Sequence, residues 1–153
     1  MSYVAKVLQP GETLLCTAKL HWFLYLHAYF ALALAAAAAA AAMFVERDPE
    51  FILLALAAIM AVTGVFTWLR AWTRRTTTEL AVTDHRVIYK VGLFSRHTAE
   101  MNRNKVESVD VEQTIAGRVF GYGTIILRGT GGTFESIRNV ADPLSFRSFI
   151  TAA

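Results

Sequence analysis

Cysteine, histidine clusters and catalytic signatures are scarce in this 153-residue chain, and each scarcity removes a class of function. A single cysteine, Cys16, excludes an internal disulfide and leaves no thiolate quartet for a metal, which suits a cytoplasmic face. The four histidines, His21, His27, His85 and His97, show no metal-ligand spacing with one another or with acids. The run Gly129-Thr130-Gly131-Gly132 lacks the Lys-Ser/Thr ending of a phosphate-binding loop, and no serine sits in a G-x-S-x-G turn. Gly121-Tyr122-Gly123 follows a polar, strand-rich stretch rather than an apolar pore helix, which excludes an ion filter. The chain is therefore expected to be noncatalytic and to need no cofactor or metal.

Charge is missing in two places where its absence is informative. No Asp, Glu, Lys or Arg occurs from Trp22 to Val45 or from Phe51 to Leu69, and only Glu46-Arg47-Asp48-Pro49-Glu50 separates the two stretches. The shorter stretch has 19 residues. As a helix it would extend roughly 28 Å, close to the hydrocarbon thickness of a bilayer. A chain this short has too little remaining mass to wrap two such helices in protein, so a transmembrane hairpin with helices at about 22–45 and 51–69 is expected.

The cations set its orientation. Lys6 and Lys19 precede the first stretch, Arg70, Arg74 and Arg75 follow the second, and the short loop carries three acids against one Arg. Both termini are then expected on the cytoplasmic side of the membrane, with the three arginines fixing topology as membrane-flanking residues. Trp22, Tyr25, Trp68 and Trp72 fall near the two cytoplasmic ends, where amphipathic rings favour the headgroup layer. The long stretch before the first span, with Glu12 beside two lysines, is unlike the short basic leader of a cleaved signal peptide. Alanines from Ala35 to Ala42 leave one helix smooth, and Ala57, Ala61 and Gly64 put small residues on one face of the other, so close packing within the hairpin is expected.

Hydrophobic residues make up 55% of the chain and charged residues 18%, but the second half has a different texture. From Thr76 onward, short β-rich runs alternate with turn residues. Thr78–Val82, Arg86–Val91, Ser95–Glu100, Lys105–Val111, Thr124–Arg128 and Phe134–Val140 each read as a strand of a small antiparallel sheet or barrel. Thr83-Asp84-His85, Gly92 and Gly129–Gly132 supply the turns. In the second of these strands Val87, Tyr89 and Val91 alternate with Arg86, Ile88 and Lys90, predicting one core face and one partly basic solvent face. Asp142-Pro143 reads as a cap and first helical residue, opening a C-terminal helix whose Leu144, Phe146, Phe149 and Ile150 form an apolar face. The resulting division is residues 1–75, an N-terminal segment with the hairpin, and residues 76–153, a cytoplasmic β domain.

Several of these elements together resemble the bacterial PH-like membrane proteins. The carriers are Gly11-Glu12 and His21-Trp22 before the first span, Thr78 to Ile88 with its Thr83-Asp84 turn and Arg86, Gly92-Leu93-Phe94, and Val106-Glu107-Ser108-Val109. Gly117-Arg118, Gly121-Tyr122-Gly123-Thr124 and Asp142-Pro143 follow in the same order. The resemblance implies an α+β membrane protein, with a two-helix transmembrane hairpin followed by a small antiparallel pleckstrin-homology-like β domain and a C-terminal helix. It implies no shared reaction, since pleckstrin-like folds serve lipid, peptide and protein binding alike.

Residues 76–153 hold nine Lys plus Arg and eight Asp plus Glu, a near-neutral balance that excludes the basic stripe of a nucleic-acid interface. Five cations in this half, Arg86, Lys90, Arg96, Arg103 and Lys105, are the candidate contacts to a headgroup or a partner. The expected function is a scaffold or adaptor that presents the β domain to a membrane or cytoplasmic protein partner. Sensing of anionic lipid, membership of a larger membrane complex and homo-oligomerisation stand as alternatives.

Overall fold

The computed structural model describes residues 3–45, 48–92, 97–130 and 134–152. It divides into two units, one made of Trp22–Thr73 and the other of Met1–His21 with Arg74–Ala153.

The helical unit opens with a 3-10 turn, Trp22–Tyr25, that runs into α2, Leu26–Ala42. After the loop comes α3, Asp48–Thr77, a single helix that begins at Asp48-Pro49, where proline needs no amide partner, and continues past Arg70 to Arg74 and Arg75 in its last turn. Trp22–Ala42 and Glu50–Thr77 are both long and apolar enough to cross a membrane. The buried stripe of α2 is Ala28, Ala35 and Ala42, and that of α3 includes Ala57, Gly64 and Ala71, so each helix buries a small residue every seventh position. At Gly64 an added Cβ would stand 2.8 Å from Leu32 Cγ and 3.2 Å from its backbone nitrogen, which is why only glycine fits. The hydroxyls of Thr63 and Thr67 donate to the carbonyls of Ile59 (2.8 Å) and Thr63 (2.9 Å), satisfying themselves within the helix.

Among the described residues the β unit contains seven strands: β1 Leu14–Ala18, β2 Glu79–Thr83, β3 Arg86–Val91, β4 His97–Asn102, β5 Val106–Glu112, β6 Tyr122–Gly129 and β7 Phe134–Ala141. They form two antiparallel sheets, β1-β2-β3-β4 and β5-β6-β7, and a Leu20–Val140 bridge links the chain just after β1 to β7. A six-residue helix, α4 Ile115–Phe120, lies between β5 and β6, and α5 Pro143–Thr151 packs on β1, β5 and β6. Leu20, Leu80, Val82, Val87, Ile125, Ile137, Val140 and Phe146 are almost wholly buried.

Two sequence expectations change here. The hairpin does not precede a complete β domain; it is inserted between β1 and β2, because Leu14–Ala18 forms an edge strand on β2, with Ala18 opposite Leu80 and Thr17 opposite Ala81. Residues 1–21 consequently belong with the β unit rather than with the helices. The partly basic face of β3 is also not open to water. A short helix, α1 Tyr3–Val7, lies over it, and Val4 joins Ala81 and Ile88 in a buried cluster flanked by Tyr3 and Leu8. β2 and the start of β3 are therefore buried on both faces, which no alternating pattern can announce.

Candidate functional site

Strand direction gives the β unit two ends. The chain leaves for the helices after β1 and returns into β2, and the pairing of Ala18 with Leu80 sets both connections side by side. The same end holds the start of β6 and the end of β7, since Tyr122 pairs with Ala141 and the amide of Ala141 donates to Lys19 O at 3.0 Å. We call this end proximal. The opposite, distal end carries the Asp84-His85 turn, the Arg103–Lys105 turn and the C-terminus of α5.

At the proximal end His21 is fixed by its amide, which donates to Asn139 O at 2.7 Å, and its ring stacks on Tyr122 at 5.4 Å. Burial lowers its pKa, and the charge of Arg75 adds to that. α4 is held nearby by a Thr114 hydroxyl that caps the Gly117 amide at 3.0 Å and by Gly121, whose φ of 73° ends the helix in the left-handed region. Gly117 packs so closely that an added Cβ would be 2.6 Å from Tyr122 O.

The five cations singled out from the sequence do not converge. Arg86 is mostly buried between two acids: Nε and Nη2 donate to Glu12 Oε1 (2.9 Å) and Oε2 (2.8 Å), and Nη1 donates to Glu100 Oε2 (2.7 Å). Its Nη2 also donates to Val7 O at 2.9 Å, tying down the end of α1. Glu12 further accepts from the Thr83 hydroxyl (2.7 Å) and the Gln9 amide (2.9 Å). The Arg86 hydrogen bond, followed by that of the Gln9 amide, lowers the Glu12 pKa from 4.5 to about 2, and Arg86 is correspondingly held more firmly protonated. Lys90 lies at the proximal end, 3.5 Å from Glu79 Oε1 and 5.0 Å above the Tyr3 ring. Glu79 meanwhile accepts the amides of Tyr3 (3.0 Å) and Val4 (3.3 Å) at the start of α1. Arg103 donates to the carbonyls of Ile150 and Ala152, so it caps the C-terminus of α5. Lys105 is exposed at the distal end. Arg96 lies outside the described residues.

Sequence reasoning missed the partners because they are remote: Glu12 precedes Arg86 by 74 positions. It also missed a distal cleft of about 720 Å³ between β5 and α5. Arg103 and Arg147 line it together with Asp84, Glu107 and Asp110, so its lining carries both signs of charge beside the apolar Val106 and Ile150. A hydrogen bond from His85, 2.9 Å away, holds the Asp84 carboxyl below its usual pKa, and the Thr13 amide adds to it. Such a mixed surface suits a polar polypeptide better than an anion alone. Among the described residues no group of three His, Cys, Asp or Glu is placed to hold a metal.

A family model described as Bacterial PH domain matches residues 23–153. The chain belongs to the bacterial PH domain family. No curated protein and no solved structure matches it. In this bacterial PH domain protein the matched region starts after β1 and α1, so the Glu12–Arg86 pair joins the family's common part to the preceding residues.

Proposed function

We propose that this bacterial PH domain protein is a noncatalytic scaffold of the inner membrane, anchored by the α2–α3 hairpin with both termini cytoplasmic, that offers its distal cleft to a protein partner. The observation that carries this reading is the two-ended β unit: both connections to the apolar helices leave from one end, and residues of the other end, Asp84, Arg103 and Asn104 among them, line the cleft. An anchored domain is confined to two dimensions, so a modest surface of mixed charge reaches useful occupancy there. Arg70, Arg74 and Arg75 flank the second span and support the orientation. Sensing of anionic lipid through Arg86, Lys90 and Arg103 is disfavoured because acids or helix carbonyls already take their donors.

Gentle extraction of the tagged protein, followed by native mass spectrometry, tests the proposal. A protein partner at fixed stoichiometry, lost in a Glu107→Lys/Arg147→Glu variant that still fractionates with membrane, is expected. A monomer or homo-oligomer carrying only anionic lipid would refute the scaffold and promote lipid sensing.

A further inference from the structure

The distal cleft follows the edge of a strand. Ser108, Val109 and Asp110 of β5 pair in unbroken register with Arg128, Leu127 and Ile126 of β6, so their side chains turn alternately to opposite faces of the sheet. All three nevertheless line the cleft, together with Val106 and Glu107. A groove that meets successive residues from both faces runs along the backbone of the strand rather than over one face. Among the described residues β5 has β6 as its one strand neighbour, at the end of the order β5-β6-β7. Every second residue along it therefore points its N–H and C=O away from the sheet. All the residues that line the cleft belong to the β unit.

The charges narrow what fits there. Asp84 is engaged by His85 at 2.9 Å and by the Thr13 amide, Asp110 by Arg128 at 3.4 Å, and Arg103 by the carbonyls that end α5. Glu107 and Arg147 are exposed, and among the described residues neither charged group has a partner. Glu107 is also the extra residue where β5 slips by one against β6, between Val106 and Ser108, so it stands outside the ladder. The cleft thus offers a ligand a free carboxylate from β5 and a free guanidinium from α5, beside the apolar surface of Val109 and Ile150.

We propose that the cleft takes its partner as an added strand: an extended, proline-free segment of about five residues pairs with the free edge of β5, with a carboxylate set against Arg147 and a cation against Glu107. This inference rests on the scaffold reading above and names the form in which the partner is held. Val106 to Asp110, the run of β5 along the cleft, extends roughly 17 Å, which sets the length of the segment. Main-chain hydrogen bonds supply the affinity of such a strand and its alternate side chains supply the selectivity. A small anion would satisfy Arg147 and leave Glu107 and the β5 edge unmet, whereas a polypeptide strand meets all three.

The test uses the full chain in nonionic detergent and a phage-displayed library of random dodecapeptides. Peptides that bind the parent and lose a Glu107→Lys/Arg147→Glu variant with parent-like near-UV circular dichroism are synthesised, and each of their backbone amides is N-methylated in turn. Methylation is expected to weaken binding roughly tenfold at every second residue of one short stretch, and little at the residues between. Hydrogen exchange on the parent chain is expected to slow at edge amides between Val106 and Asp110 when such a peptide is bound. Peptides that need Glu107 and Arg147 but tolerate methylation at every position, or that leave exchange along β5 unchanged, overturn the added strand and leave the cleft as a polypeptide site. Recovery of no peptide, or only of peptides indifferent to the charge swap, also overturns it, and the scaffold reading then stands or falls on the native mass spectrometry alone.

Discussion

Replacing Glu12 by Gln should uncouple the N-terminal residues from the β unit in a pH-dependent way. Glu12 is almost wholly buried and accepts two hydrogen bonds from Arg86, one from Thr83 and one from Gln9. Its pKa falls from 4.5 to about 2 on folding. The full shift would correspond to about 3 kcal/mol at neutral pH. The site lies near the edge of the unit and Arg86 retains Glu100, so screening and the surviving partner reduce the expected loss to about 2 kcal/mol. Because the folded pKa is depressed, this contribution is fully present above about pH 4.5 and fades as the pH falls toward 2. Urea unfolding of the full chain in nonionic detergent, followed by near-UV circular dichroism, measures it at several pH values. The difference between parent and Glu12→Gln curves isolates this carboxylate from other acids: it should be about 2 kcal/mol at pH 7 and shrink toward zero near pH 2. Equal stability at pH 7, or a difference that does not change with pH, would refute the role assigned to the pair.

Three further outcomes are expected. Gly117→Ala drives a Cβ to 2.6 Å from Tyr122 O, a backbone atom, and should lower β-unit stability by about 2 kcal/mol or more, read as a drop in Tm. Gly64→Ala meets Leu32 at 2.8 Å and should weaken the hairpin by about 1–2 kcal/mol, measured by reversible unfolding in mixed micelles, with little effect on β-unit melting. Burial, with the Asp142 charge adding to it, raises the Cys16 pKa, so a maleimide should label the folded protein more slowly than a free cysteine at pH 7.5 and reach the free rate in denaturant.

The parts of the fold that were legible in the sequence are those whose signal is local. An uncharged stretch is apolar whatever surrounds it, and Arg86–Val91 carries enough β-branched residues that its expected bounds coincide with β3. Asp142-Pro143 opens α5 because a cap and a proline act within one turn, the Asp142 carboxylate accepting from the Ser145 amide. β1 escaped notice because three of its five residues stay half-exposed or more on an edge, leaving no clean alternation, and its partner strand starts more than 60 positions later. α1 and α4 have five and six residues, too few to show a helical period. For the site, residue type gave the charges but not their partners. Arg86 and Lys90 read as open cations because the acids that engage Arg86 and the helix that lies over both are set by tertiary structure alone.

The insertion of the hairpin between β1 and β2 imposes an order on assembly. When β1 leaves the ribosome its partner does not exist, and some sixty residues, two of the helices among them, must be made before Ala81 can meet Thr17. At ordinary synthesis rates that is several seconds. Through that interval the N-terminal segment waits as an unpaired strand, and the β unit closes only when the chain has returned from the hairpin. Under the proposed membrane topology, completion of the sheet would thus report that both crossings had been made: a chain whose second helix stayed on the wrong side would strand β2 to β7 away from β1 and leave Glu12 without Arg86.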